Sequence, residues 1–330
     1  MAGMGLKIRF YPVLVVLCLM VAGGAGIAVA SPGEKAWEAA NLDAKNALDR
    51  GDLAAARRAA EEAARIAETS FGPRHMKTAV ALRKLADIQR LTGDSKSAAA
   101  TLDRAAGVWE SHLGSKNPYA SDLFVRSARD RETVQDWAGA AAAFKSAVAI
   151  QKKYYGGRHT VIASTLQELA RAQRQAGDPA AARGSELEAA VILLETLEPA
   201  HARTLAAWEA LASHAAEQGD LASARGDVKR VLVSAASASR PPLKKLASVW
   251  VLSGDLAAQD HDVVTAENSY SKAMELLEPL GDESAPQRLS VLYKLRELYQ
   301  SMGREDAASE AAERARQLEQ SAKPEPAKLS

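Results

Sequence analysis

The residues with the widest chemical repertoire in this 330-residue chain are its six histidines, since imidazole serves as metal ligand and as general acid or base near neutral pH. Their placement does not assemble a site. His75, His159 and His201 recur at one place in a 42-residue register, with Asn117 at the same place between the first two. Residues a full register apart stand apart in space, and no pair has a ligand spacing such as H-x3-H. These histidines are therefore expected to hydrogen-bond within loops. No glycine-rich phosphate loop, G-x-S-x-G elbow or H-E-x-x-H helix occurs. Acid pairs such as Glu61-Glu62 fall on polar helix faces. The expectation is a chain with no cofactor, no metal and no enzymatic activity.

The register that separates the histidines comes from a returning turn. Gly51-Asp52 recurs as Gly93-Asp94, Gln135-Asp136, Gly177-Asp178, Gly219-Asp220, His261-Asp262 and Gly303-Arg304, every copy 42 residues after the last. Fixed self-similarity at this length is the signature of a solenoid of stacked supersecondary units. Past each turn lies a small residue: Ala56, Ala98, Ala140, Ala182, Ala224, Ala266, Ala308. Seven residues on is another: Ala63, Ala105, Ala147, Ala189, Val231, Ala273, Ala315. Between them stands a variable residue: Ala60, Leu102, Phe144, Glu186, Val228, Tyr270, Ala312. Spacings of four and three put all three on one helical face, where small side chains admit a close neighbour. Before the turns come Leu85-Ala86, Leu169-Ala170 and Leu211-Ala212, with Ser127-Ala128 and Ser253-Gly254 as weaker copies. Each unit reads as two antiparallel helices, A and B, joined across the turn.

These residues resemble the tetratricopeptide repeat. Its small–x3–aromatic element is matched by Ala140/Phe144 and Ala266/Tyr270, and its tryptophan near the start of helix A by Trp208 and Trp250. The usual repeat is about 34 residues. The longer period is similar to the variant in kinesin light chains, whose Gly-x-x-His-Pro loop is echoed by Gly72-Pro73-Arg74-His75, Gly114-Ser115-Lys116-Asn117-Pro118 and Gly156-Gly157-Arg158-His159. The resemblance spans roughly Ala36 to Gln320. It implies an all-α solenoid, a right-handed superhelix of about seven repeats, with a concave groove lined mainly by A helices, and it implies binding rather than catalysis.

Carried onto this chain, the family's inner A-helix positions are Val80, Arg83, Asp87, Arg90 and Leu91 in repeat two. They are Asp122, Val125, Arg129, Glu132 and Thr133 in repeat three, and Ser164, Gln167, Arg171, Arg174 and Gln175 in repeat four. Glu209, Glu217, Asp255, Tyr293 and Glu297 are among those that follow. Arg83, Arg90, Arg129, Arg171 and Arg174, with Gln167 beside them, then form a candidate partner-binding stripe. Arginine suits bidentate carboxylate contacts, so an acidic segment is the partner expected. The competing reading is pairing within one helix, Arg83 with Asp87 and Glu168 with Arg171. The Lys/Asn carboxylate clamp of chaperone-binding relatives is not reproduced.

Residues 1–30 read as a targeting segment. Lys7 and Arg9 precede an uncharged apolar run from Phe10 to Val21, and Ala28-Val29-Ala30 forms an A-x-A cleavage site before Ser31. An uncleaved membrane anchor is the alternative. Either way the repeats are expected to be exported, to the periplasm or outside the cell. Leu17 before Cys18 argues against lipidation. Cleavage removes the only cysteine, so packing rather than disulfides must hold the mature chain. It also turns 42 basic residues into 40 against 41 acidic ones, a balance unlike the basic footprint of nucleic-acid binders.

The domain expectations are a signal over 1–30, the repeat array over 31–320 and a disordered tail over 321–330. Ser31-Pro32-Gly33 is expected to be a flexible start, with the first A helix from Ala36 to Arg50. Ser234 to Pro242 is the least regular internal junction. Gly254-Asp255 imitates a turn seven residues early and reads as a hinge or, as the register favours, as a small residue inside helix A6. The function expected is a protein–protein interaction scaffold in the envelope or outside the cell. An envelope or secretion chaperone that holds unfolded clients is the alternative.

Overall fold

The computed structural model describes residues 31–321 apart from 115, 116, 199, 237, 239 and 240. The expected targeting segment and nearly all of the expected tail lie outside the described residues. Among those described, the seven turns close as their residue types require. Residues 51, 93, 135, 177, 219, 261 and 303 all take positive φ, between 59° and 83°. The N–H of the following residue donates to the carbonyl five positions back, at 2.8–3.0 Å in all seven copies, which is the Schellman closure of a helix end. In six copies the aspartate of the turn then starts the next helix. Its carboxylate accepts the N–H of the residue three further on, at 2.9–3.1 Å, which satisfies one of the orphan donors of a helix N-terminus.

These turns join fourteen α-helices among the described residues. The A helices are α1 (Pro32–Asp49), α3 (Met76–Leu91), α5 (Pro118–Thr133), α7 (Thr160–Gln175), α9 (Ala202–Glu217), α11 (Leu243–Gln259) and α13 (Ala285–Ser301). The B helices are α2 (Leu53–Phe71), α4 (Ser95–Leu113), α6 (Trp137–Tyr155), α8 (Pro179–Thr196), α10 (Leu221–Ala235), α12 (Val263–Leu277) and α14 (Glu305–Ser321). A 3-10 segment, Glu278–Ser284, leads into α13. Each helix packs on its neighbour in sequence, so the core is a continuous series of clusters along the stack.

The repeated small residues sit where helices touch. All seven alanines from Ala56 to Ala308 are buried, and so are the seven residues from Ala63 to Ala315. The variable residue between them fills the space among its own A helix, its B helix and the next A helix. Leu102, Phe144, Val228 and Tyr270 are buried there. Glu186 and Ala60 occupy the same place without an apolar bulk.

Two local expectations change, and at Gly254 the reading that the register favours holds. Ser31-Pro32-Gly33 is not a flexible stretch: Ser31 caps α1 by accepting the Glu34 N–H at 3.1 Å, and Pro32 takes the first helical position, where its missing N–H costs nothing. Ser321 closes α14 rather than opening a tail. Gly254 is no hinge, since α11 runs through it to Gln259. A Cβ there would come 2.4 Å from the Tyr270 ring, so glycine is what lets Tyr270 pack against α11.

Candidate functional site

The recurrent histidines are helix caps. His75, His159 and His201 precede α3, α7 and α9, and the Nδ1 of each accepts the N–H two residues on, at 3.1–3.2 Å. Asn117 does the same for α5 through Oδ1 at 2.7 Å. Among the described residues no three His, Cys, Asp or Glu side chains converge in a metal-holding group.

The five candidate arginines all meet carboxylates. Asp87, on α3, is a hub. It pairs with Arg83 at 3.1 Å and Arg90 at 3.0 Å on its own helix, and with Arg126 reaching over from α5. Asp130, buried one helix over, has a carboxyl pushed above its usual range by burial, against the pull of Arg90 and Arg126. Between α5 and α7 the pairs cross: Arg129 holds Glu168 at 2.8 Å and Arg171 holds Glu132 at 2.9 Å. Burial pushes the Glu132 carboxyl upward, and Arg171 opposes that. Arg83 thus pairs within its own helix as one sequence reading held. The pair Glu168–Arg171 does not form, because each group finds a partner on the adjacent A helix instead. The pattern extends along the A layer through Lys77–Glu34, Lys245–Glu209 and Lys294–Asp255. Exposure along the stripe is uneven: Arg129 and Arg171 are 58% and 52% exposed, while Arg83 and Arg174 are mostly covered. Gln167 is exposed on α7 beside them.

Arg174 belongs to a different cluster. It pairs with Glu186, which sits in the variable core position of α8, and His214 of α9 brings Nδ1 to 2.9 Å of the same carboxylate oxygen. Burial, helped by the Arg174 guanidinium, holds the His214 imidazole below its usual range, with Glu217 pulling the other way. In the sequence Glu186 stands in the variable column among otherwise uncharged residues, and that contrast is the signal for this cluster.

The A layer also carries a feature that the sequence reading passed over. Between α1, α2 and α3 lies a mostly apolar recess of about 510 Å³. Its floor includes Ala60 and Ile88, its edge includes Leu42 and Leu91, and Lys45 and Lys84 stand beside it. The signal was in the repeat alignment: Ala60, like Ala312, is a small member of a column that holds Leu102 and Phe144 in the two repeats after Ala60.

Helix pairs stacked through small-residue contacts, with cross-repeat pairs on one layer, define an α-solenoid. Residues 39–111 match the family model of the tetratricopeptide repeat, and that stretch carries the repeat. No curated protein matches the chain. Among solved structures, the C-terminal part of a TPR repeat-containing protein from Cytophaga hutchinsonii is similar at 14% identity. That match covers 86% of this chain and 95% of that one, with a TM-score of 0.51, and it bears on the fold alone. Nearly identical TPR-like repeats of a kinesin light chain from Podosopora anserina are 21% identical over 64% of this chain and 100% of theirs, with a TM-score of 0.45. The tetratricopeptide fold supports a protein-interaction scaffold role.

Proposed function

We propose that this chain is a non-catalytic scaffold whose A-helix face, from α3 to α7, binds an acidic or carboxylate-bearing segment of a partner protein. The observation that carries the reading is the stoichiometry at Asp87, where three guanidinium groups face one carboxylate. Arg129 and Arg171 extend the stripe from α5 to α7 and stay more than half exposed. Exposed pairs contribute only about 0–1 kcal/mol, so a partner's carboxylate takes Arg129 from Glu168 at little cost, whereas Glu132, 12% exposed, is costlier to leave unpaired. The scaffold works in the envelope or outside the cell, exported by residues 1–30 and cleaved before Ser31. In support, α1 is capped by Ser31 itself, so an ordered helix follows directly on the cleavage site.

The test compares a partner captured from an envelope or culture-supernatant fraction for binding to Arg129→Ala, Arg171→Ala and, as a control on α2, Arg57→Ala. Removing rim charges should slow association and flatten the salt dependence. If the α5 and α7 variants keep the control's affinity and salt slope, binding lies on another face. Many unfolded captured clients in place of one stoichiometric partner would favour a chaperone. N-terminal sequencing of the exported protein should begin at Ser31, and an intact Met1 in the soluble cytoplasmic pool would refute the export reading.

A further inference from the structure

The recess between α1, α2 and α3 exists because Ala60 is short in a column that a large apolar side chain fills in the next two repeats. Ala60 stands where Leu102 and Phe144 plug the corresponding space in the next two repeats, and Val228 and Tyr270 do so further along. The last repeat also has alanine, Ala312, but among the described residues no helix follows α14. At Ala60 the next A helix does follow, and the space of about 510 Å³ stays open at the A-helix side. That volume falls in the range of ordinary ligand pockets.

What surrounds the recess is not what a solvated end-repeat presents. Terminal repeats normally turn a polar face to water. Here Leu42 and Leu91, at 56% and 60% exposure, are among the most exposed large apolar side chains of the described residues, and both line the recess. Two cations stand beside them. The Lys45 side chain has no hydrogen-bond or ion-pair partner among the described residues. Lys84 donates to the neutral Asn41 Oδ1 at 2.9 Å, and partial burial together with Arg83 pushes its ammonium below its usual range. The one carboxylate at the edge, Asp87, is already engaged by three arginines. An apolar hole flanked by two lysines that have no carboxylate partner among the described residues is complementary to an apolar group carried next to negative charge.

We infer that the recess is an anchor pocket for one large apolar side chain of an acidic peptide segment, with Lys45 and Lys84 meeting the carboxylates that flank the anchor. This rests on the acidic-partner reading above and deepens it: the peptide's charge runs along the arginines of α3 and α5, and its register is fixed where the anchor drops between α1 and α3. The recess adjoins Asp87 and Leu91 of α3, so one extended segment reaches both. Side chains of Phe or Leu size gain most, because burying one contributes roughly a ten- to hundredfold change in affinity.

The experiment uses fluorescence anisotropy with a labelled acidic heptapeptide, phenylalanine at its centre and glutamates on both sides. Controls are the same peptide with central alanine and a lysine-flanked version. The variants are Ala60→Leu, which restores the side chain of Leu102 and fills the hole, and Lys45→Glu, which reverses an exposed charge. The wild-type chain should prefer the phenylalanine peptide about tenfold or more over the alanine peptide. Ala60→Leu should abolish that preference while leaving residual acidic binding, with a thermal midpoint no lower than wild type. Lys45→Glu should weaken acidic peptides and raise the lysine-flanked one. If phenylalanine and alanine peptides bind alike and Ala60→Leu changes neither, the anchor pocket is refuted while the acidic-partner reading stands. If no acidic peptide binds, both are refuted. Laurate binding that Ala60→Leu removes, without peptide preference, would make the recess a lipid site. Self-association lost in Ala60→Leu would make its occupant a second copy. Either result overturns the inference.

Discussion

Gln135 and His261 give the sharpest test of how this solenoid is built. Both sit at the left-handed position of a Schellman turn, with φ of 60° and 59°, where the other five copies use glycine. A non-glycine residue in that conformation costs roughly 1–2 kcal/mol. Replacing it with glycine recovers that cost but frees the unfolded chain, which takes back about 0.5–1 kcal/mol. Neither side chain makes a hydrogen bond or ion pair among the described residues, and both are exposed. The expected net gain is therefore ~0.5–1 kcal/mol each for Gln135→Gly and His261→Gly. The sites lie three repeats apart, so the gains should add. The converse change, Gly93→Ala, places a Cβ at φ 80° with nothing within 4 Å to clash. It should cost the conformational penalty alone, ~1–2 kcal/mol. Guanidinium denaturation followed by far-UV circular dichroism reads all three. Because neighbouring repeats can unfold at different points, midpoints should be compared on the same transition. If both glycine variants destabilise the chain, or Gly93→Ala has no effect, the turns are not held by left-handed geometry and this account of the repeat fails.

Two further outcomes follow from the packing and the caps. Ala98→Leu and Ala140→Leu, at fully buried small positions, should each cost ~1–3 kcal/mol by overpacking, whereas Ala54→Leu, on the exposed side of α2, should be near neutral; equal losses at all three would show the helical register to be wrong. Hydrogen bonds from Thr265 hold the Asp262 carboxyl below its usual range, so its charged cap contributes above the ordinary carboxylate pKa of about 3.9 and is lost as pH falls through the lower folded value. Asp262→Asn keeps a neutral cap. Its denaturation midpoint should match or fall slightly below wild type at neutral pH and drop less on acidification below pH ~4; identical acid profiles would refute a titrating cap.

The fold was legible because its determinants are local and repeated. A turn residue, an aspartate cap and two small residues at fixed offsets specify the helix pair, and seven copies reinforce the register. Misreadings arose where one copy departs from the pattern. Ser31-Pro32-Gly33 looked like a loop by composition, yet serine followed by proline is also a helix-start signal, and that is what it does. The arginine stripe was placed on the right helices, but its pairing was not legible. The partner of Arg171 depends on how α5 and α7 lie side by side, which places Glu132 closer than Glu168 on the same helix. The recess depends on an absence, one short side chain in a column, and only a comparison of repeats with one another exposes it.

The cross-repeat pairs also bear on what a partner must do. In a stack where each repeat touches only its neighbours, interface terms add along the array, and Arg129–Glu168 and Arg171–Glu132 both bridge the α5–α7 boundary. A carboxylate that takes either arginine removes a staple from that boundary while adding a contact to the outside. The exposed Arg129 pair is worth about 0–1 kcal/mol and exchanges readily, whereas Glu132 is mostly covered and holds Arg171 more firmly. Buried Phe144 and Ile162, in one core cluster, keep the boundary packed meanwhile. The Asp87 hub differs, because an incoming carboxylate there joins three guanidinium groups without having to displace Asp87. Binding should therefore start at α3, where positive charge is in excess, and extend toward α7 by exchange. Salt dependence would then be steeper for changes at Arg90 and Arg126 than at Arg129 and Arg171. A uniform slope across all four would mean that the hub holds no surplus charge for a partner to use.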